Sequence, residues 1–204
     1  GLCSTDKYMR GILNKEKGLL PPKAVLSHVC VVQNPGYHKL LVISDIAVIP
    51  APDLKQKQAM IGYVANTARA LGVEKPKVAM ITATEQMLPG MPACVEAAML
   101  AKMSDRGQIA GCVVDGPLAL DVALCKEAAE IKKLKSEVAG DADCLVFPSI
   151  EAANVFYKLG GHFIPGVKMA AMVAGAKAPC VLSSRADSTE TKLNSIALAA
   201  LTAK

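Results

Sequence analysis

The chain has 204 residues, which suits one large domain or two small ones and leaves ample length to bury a core. Its composition is 52% hydrophobic and 20% charged, which excludes a disordered chain, and its net charge of +5 is spread among interleaved acids rather than gathered in a basic block. Aromatics are 3% and Trp is absent, so the composition points to Ala, Val, Leu and Ile packing and a small anionic ligand, and away from a nucleic-acid platform.

Taken in chain order, Ser4 to Glu16 reads as a capped helix stopped at Gly18. Ala24 to Gln33 and Lys39 to Val48 read as strands joined by the Asn34-Pro35-Gly36 turn, a hairpin that implies an antiparallel edge. Asp53 to Leu71 is a long helix closed by Gly72. Short apolar strands followed by helices come next: Lys77 to Thr82 with Pro92 to Met103, then Ile109 to Val114 with Pro117 to Ile131. Cys144 to Phe147 is followed by a helix from Ser149 to Leu159, which Gly160-Gly161 is expected to end. Two further apolar runs, Val167 to Ala174 and Cys180 to Ser183, precede a last helix from Asp187 to Ala203. This alternation predicts an α/β protein with a mostly parallel sheet covered on both faces.

The seven cysteines are odd in number, form no C-x-x-C and lie mostly in apolar runs, as reduced core thiols of a cytoplasmic protein would. No apolar run is long enough to cross a bilayer, and no leader pattern is present. His28, His38 and His162 have no metal-ligand spacing, so no metal site is expected. The chain opens on Gly1 rather than Met, already in capping chemistry at Ser4-Thr5-Asp6, and an upstream segment is expected on that ground.

Ligands of open α/β sheets bind beyond the carboxyl ends of the strands. Those ends are polar here: Ser44-Asp45, Thr82, Asp115-Gly116-Pro117, Pro148-Ser149 with Asn154 beyond it, and Ser183-Ser184-Arg185. Helix capping explains any one of them. Capping does not call for Arg185, whose fork beside a helix N-terminus matches phosphate. Gly116-Pro117 is expected to form a tight turn into a helix and a second anion contact.

Several long stretches together resemble a known family. "VDGPLALDVALCKEAA", "AGDADCLVFPSIEAANVFYKL", "SDIAVIPAPDLKQKQAMI" and "GAKAPCVLSSRADS" are similar to the phosphate acetyl/butyryltransferase family, and "DGPLALD", "DLKQKQ" and "SRADS" to its butyryl branch. The likeness runs from Leu2 to Leu201. It implies reversible exchange of a short acyl group between coenzyme A and phosphate, with coenzyme A, acyl-CoA, phosphate and acyl phosphate as substrates and no tightly bound cofactor. It also implies a three-layer α/β/α architecture similar to isocitrate and isopropylmalate dehydrogenases: two domains around a cleft, in a cytoplasmic homodimer or larger homo-oligomer without nucleic-acid or membrane partners. Residues 1–20 would be a remnant of the first domain, 21–171 the second with its hairpin, and 172–204 a strand and helix returning to the first.

By the same resemblance Ser184 and Arg185 contact phosphate and coenzyme A, and Arg10 is a further anion ligand. Ser4, Thr5, Asp45, Asp115, Gly116, Pro117, Asn154 and Lys177 are the other expected substrate contacts. The acetyl branch places a thiol-deprotonating aspartate where this chain has Thr191, so Asp187, with Glu190 as a second choice, is expected to take that role. The rival readings are another acyl-chain preference, acetyl or branched, a non-catalytic acyl-CoA-sensing domain, and a dehydrogenase on the related fold, which would need acidic metal ligands and a nucleotide site that the sequence does not display.

Overall fold

Seven strands form one sheet in the order β4-β3-β5-β2-β1-β6-β7, in a computed structural model that describes residues 3–203. The outermost positions of the two expected terminal segments, 1, 2 and 204, lie outside the described residues. The strands are β1 (Ser27–Gln33), β2 (Leu40–Ser44), β3 (Lys77–Ile81), β4 (Val113–Leu118), β5 (Cys144–Val146), β6 (Lys168–Ala174) and β7 (Cys180–Val181). The expected hairpin forms, with Val29 opposite Ser44 and Gln33 opposite Leu40. Its first strand is internal rather than an edge, because β6 pairs antiparallel along the whole of β1 from Ser27↔Ala174 to Gln33↔Lys168. β2, β5, β3 and β4 pair in parallel, while β7 turns back antiparallel on β6. The sheet is therefore mixed, with β1 and β7 running against the other strands.

The helices are α1 (Thr5–Ile12), α2 (Leu54–Ala70), α3 (Pro92–Asp105), α4 (Leu120–Leu124), α5 (Lys126–Ile131), α6 (Ile150–Phe163) and α7 (Thr189–Thr202). Alternation along the strands divides the core between the two faces. Val29 and Val31 pack with Met60 and Val64 of α2, Leu100 of α3 and Leu198 of α7. Cys30 and Val32 pack with Val122 of α4, Ala129 of α5 and Tyr157 of α6. α1 closes the upper corner of this second face, where Ile12 meets Leu26, Val173 and Cys180. Each fully buried aliphatic side chain contributes about 1.5–3 kcal/mol, so both faces, rather than helix propensity, hold the layers together.

Local chemistry sets the element ends. Asp53 and Gln56 form a reciprocal capping box at the start of α2, at 2.8 Å in each direction. Three expectations are corrected. The Gly116-Pro117 turn is instead part of β4, and the following helix is two short pieces parted at Cys125. β4 is an edge strand, where proline's missing N–H is tolerated, and a register shift against β3 accommodates the pair. A Cβ on Gly116 would lie 2.7 Å from Met80 Cβ, so only glycine permits this approach.

The second correction is that α6 runs through Gly160 and Gly161 to Phe163. Both glycines face the Met169 methyl, which Cβ atoms would meet at 3.1 and 3.3 Å, so they serve close packing on β6 rather than helix termination. The third is that the sheet, expected to be mostly parallel, is mixed: three of its six strand pairings are antiparallel, because the β1–β2 hairpin is extended by β6 and β7.

Candidate anion-binding turn

The segment after β7 builds the site. Because Val181 pairs with Met172 on an antiparallel neighbour, the chain leaving β7 travels toward the start of β6, away from the edge where β2, β3, β4 and β5 end. The contacts further along agree: Ser195 Oγ accepts from Ala171 N at 2.9 Å, and Glu190 pairs with Lys168 at 2.6 Å. Ser184 and Arg185 thus do not share the polar edge of the other strand ends. The 175–179 turn between β6 and β7 reverses their direction.

Leu182 to Asp187 forms a closed turn ahead of α7. Asp187 Oδ2 accepts from Ser184 N at 2.7 Å, and Asp187 N donates back to Ser184 O at 3.1 Å. The Ser184 hydroxyl accepts weakly from Ala186 N at 3.4 Å. Ser188 caps α7 by accepting from Thr191 N, and its hydroxyl also meets that of Thr191, both at 3.1 Å. Arg185 is exposed at the tip of the turn, and among the described residues its guanidinium has no hydrogen-bond or ion-pair partner. Lys192 Nζ donates to the Arg185 carbonyl at 3.4 Å. A free guanidinium, a hydroxyl and the partial positive end of a fourteen-residue helix together favour a phosphate-sized anion.

Two residues that the sequence did not single out lie beneath this turn. The hydroxyl of Tyr157, a side chain only 5% exposed on α6, donates to both oxygens of Asp187, each at 3.1 Å. Burial, then the neighbouring Cys30 and Asp187, pushes this phenol upward, so it stays a protonated donor. His28, 3% exposed at the start of β1, lies 2.9 Å from the Leu182 carbonyl. A carbonyl only accepts, so Nε2 carries the proton, and Nδ1 is buried without a partner. Burial lowers the affinity of this imidazole for a second proton, and it outweighs the opposing influences of the Leu182 carbonyl, Asp45 and Asp187.

The remaining expected residues are distributed more widely. Asp45 is 2% exposed, and its carboxylate accepts from Ser27 Oγ and from the backbone N–H groups of His28, Ala47, Val48 and Ile49, which makes it the organiser of its own loop. Asn154 pins the same loop, donating to Ile46 O at 3.0 Å. Asp115, Gly116 and Pro117 sit on β4, at the opposite edge of the sheet from β7, the strand that leads into the arginine turn. Asp115 accepts from its neighbour Gly116 N at 2.8 Å.

Ser4 caps α1, accepting from Lys7 N at 3.3 Å; Thr5 follows it, and Arg10 pairs with Asp6 at 2.9 Å on the exposed side. α1 nevertheless reaches the turn, since Tyr8 and Met9 share a cluster with Leu182. Lys177 lines a different space, a groove of about 890 Å³ between α2 and α7 that also takes in Arg69 and Tyr63. Among the described residues no group of three His, Cys, Asp or Glu could hold a metal ion, and no helix is long and apolar enough to cross a membrane.

Sheet, helices and turn define an α/β protein with an exposed serine–arginine turn at the mouth of its last helix. Residues 2–200 match the phosphate acetyl/butaryl transferase family, and the chain belongs to it. It is 50% identical over 203 residues to the phosphate butyryltransferase of Clostridium acetobutylicum, covering 100% of this chain and 67% of that one. It is 45% identical over 201 residues to the phosphate acetyltransferase of Thermotoga maritima, covering 98% of this chain and 68% of that one. Among solved structures, a branched-chain phosphotransacylase from Enterococcus faecalis superimposes with a TM-score of 0.89 at 33% identity, over 99% of this chain and 71% of the other. The chain thus spans about two thirds of the length of these relatives.

Proposed function

We propose that this chain is the acyl-transfer part of a phosphate butyryltransferase, moving a short acyl group reversibly between coenzyme A and inorganic phosphate. The observation that carries the reading is the closed Ser184–Asp187 turn, which presents Arg185 without a partner among the described residues at the start of α7 in a chain of this family. In the direction of acyl-CoA synthesis, the coenzyme A thiol loses its proton and the thiolate attacks the acyl phosphate carbonyl. The new C–S bond forms as the C–O bond to phosphate breaks, and phosphate leaves with the electron pair. Arg185 and the Ser184 hydroxyl stabilise the phosphate and the developing oxyanion.

A free thiol with pKa near roughly 8.5 needs a base at neutral pH. Asp187 is better suited to shaping the turn than to that role, since Ser184 N and the Tyr157 hydroxyl already occupy its oxygens. Glu190, exposed in the first turn of α7 and paired among the described residues only with Lys168, is the freer carboxylate. Arg10, Ser4 and Thr5 on α1 are proposed contacts for the extended coenzyme A chain, supported by the packing of α1 beside Leu182. Lys177 is proposed to meet its phosphates. The catalytic unit is proposed to follow the two-domain, isocitrate dehydrogenase-like plan, with the arginine turn facing the cleft. A cytoplasmic homodimer is proposed with it, supported by Val155, Leu159 and Phe163, which form an exposed apolar stripe along α6.

The test is phosphate-dependent release of coenzyme A from butyryl-CoA, with acetyl-CoA and a branched acyl-CoA run in parallel. The parallel arms matter because an acetyl enzyme and a branched-chain enzyme both resemble this chain. Release that ignores phosphate, or binding of acyl-CoA without turnover, would refute the reading.

A further inference from the structure

We propose that Tyr157 is a positioning residue for the anion-binding turn, acting through Asp187, with His28 anchoring the other end of the same turn. The inference rests on the acyl-transfer reading above. An exposed turn that carries a free guanidinium is expected to sample several shapes unless something outside it holds it. Its internal bonds, Ser184 N to Asp187 Oδ2 and Asp187 N to Ser184 O, close the ring but do not tie it to the body of the protein.

Two ties come from elements distant in sequence. Tyr157 reaches from α6, its ring packed in the cluster that includes Cys30, Ala153 and Met169, and its hydroxyl lies equidistant from the two carboxylate oxygens. His28 reaches from β1 to the Leu182 carbonyl, at the point where the chain leaves the sheet. Both side chains are almost fully buried, so their own rotamers are fixed before any ligand arrives. The turn is thereby held at Leu182 and at Asp187, and Ser184 and Arg185 are displayed between. Neither Tyr157 nor His28 needs to touch phosphate for this to matter. A turn that is ordered only part of the time binds its ligand more weakly in proportion to the ordered fraction.

The test is steady-state kinetics with butyryl-CoA and varied inorganic phosphate, on the wild type, Tyr157→Phe, Asp187→Ala and the double variant. Phenylalanine keeps the ring in the core and removes only the donor. Tyr157→Phe is expected to raise the phosphate KM about tenfold, through a lower population of the ordered turn. Its kcat at saturating phosphate should stay within about twofold, because bound phosphate restores the turn. A merely structural defect would instead lower the active fraction, reducing kcat with KM unchanged. In the Asp187→Ala background the tyrosine substitution should have no further effect, since the group it acts through is gone. An active wild type whose phosphate KM is insensitive to Tyr157→Phe would overturn the positioning role and leave the acyl-transfer reading standing. So would a KM change of equal size in the Asp187→Ala background. A wild type without phosphate-dependent release would overturn both.

Discussion

The Tyr157 hydroxyl sits 3.1 Å from each oxygen of Asp187, so the carboxylate expected to act as a base is engaged from within the protein. The same carboxylate holds Ser184 N at 2.7 Å. Asp187→Ala leaves a half-buried N–H and a buried phenol without their acceptor, and the expected loss of stability is about 1–3 kcal/mol. Asp187→Asn retains one carbonyl oxygen for Ser184 N and is expected to lose less. Urea unfolding of the two variants beside the wild type checks the order, and equal stability of Asp187→Ala and the wild type would contradict the clamp.

Arg185 presents the opposite case, an exposed side chain with no partner among the described residues. Arg185→Ala should therefore leave the unfolding midpoint close to the wild type, as ordinary surface substitutions do, within about 0.5 kcal/mol. Its kcat/KM for phosphate-dependent release should fall by about 2–4 kcal/mol of transition-state stabilisation, the scale of one preorganised donor to a developing anion. A variant with wild-type turnover would remove Arg185 from the chemistry.

Local signals in the chain reported the fold well wherever a single element decided the outcome. The Asn34-Pro35-Gly36 turn and the flanking apolar runs marked the β1–β2 hairpin, and Asp53 with Gln56 marked the start of α2. What could not be read were features set by another part of the chain. Gly160 and Gly161 look like a helix stop, but they are small because Met169 of β6 lies against them. Gly116-Pro117 looks like a turn until β4 is known to be an edge strand. Polar strand ends looked equivalent because sequence does not give strand direction, and only the β6–β7 register sends Ser184 and Arg185 away from the rest. Tyr157 and His28 carried no local signal at all, since their contacts with Asp187 and Leu182 are purely tertiary.

The reversal that places the arginine turn depends on Gly175, which follows β6 with φ +93°. An added Cβ would meet the Val25 carbonyl and would lie 2.7 Å from the Tyr63 hydroxyl, which is itself bonded to that carbonyl at 2.6 Å. Backbone strain and overpacking combine at this position, so Gly175→Ala is expected to cost about 3 kcal/mol. Because β7 is only two residues long, the loss should appear first as mobility of the segment beyond it. Hydrogen exchange of amides 180–187, compared with those of β1, tests this; uniform protection in the variant would count against it.

Acid should unfold the protein partly through the end of the sheet opposite Gly175, where Asp141 gathers the starts of several strands. Lys39 and Lys77 lie 2.7 and 2.6 Å from its oxygens, and His38 lies at 3.0 Å. Partial burial alone would raise this carboxyl, but hydrogen bonds from Lys39, Lys77 and His38 outweigh it and hold Asp141 well below the usual carboxylate range. A carboxyl depressed in the folded state binds its proton more readily when the chain unfolds. Its stabilisation is therefore complete above the unfolded value of about 4 and is lost as pH falls below it. Asp141→Asn should destabilise the protein at pH 7 and flatten the decline of stability below about pH 4. Urea midpoints measured from pH 7 down to pH 3 would show the two curves converging in acid, and parallel curves would exclude Asp141 as a source of the acid sensitivity.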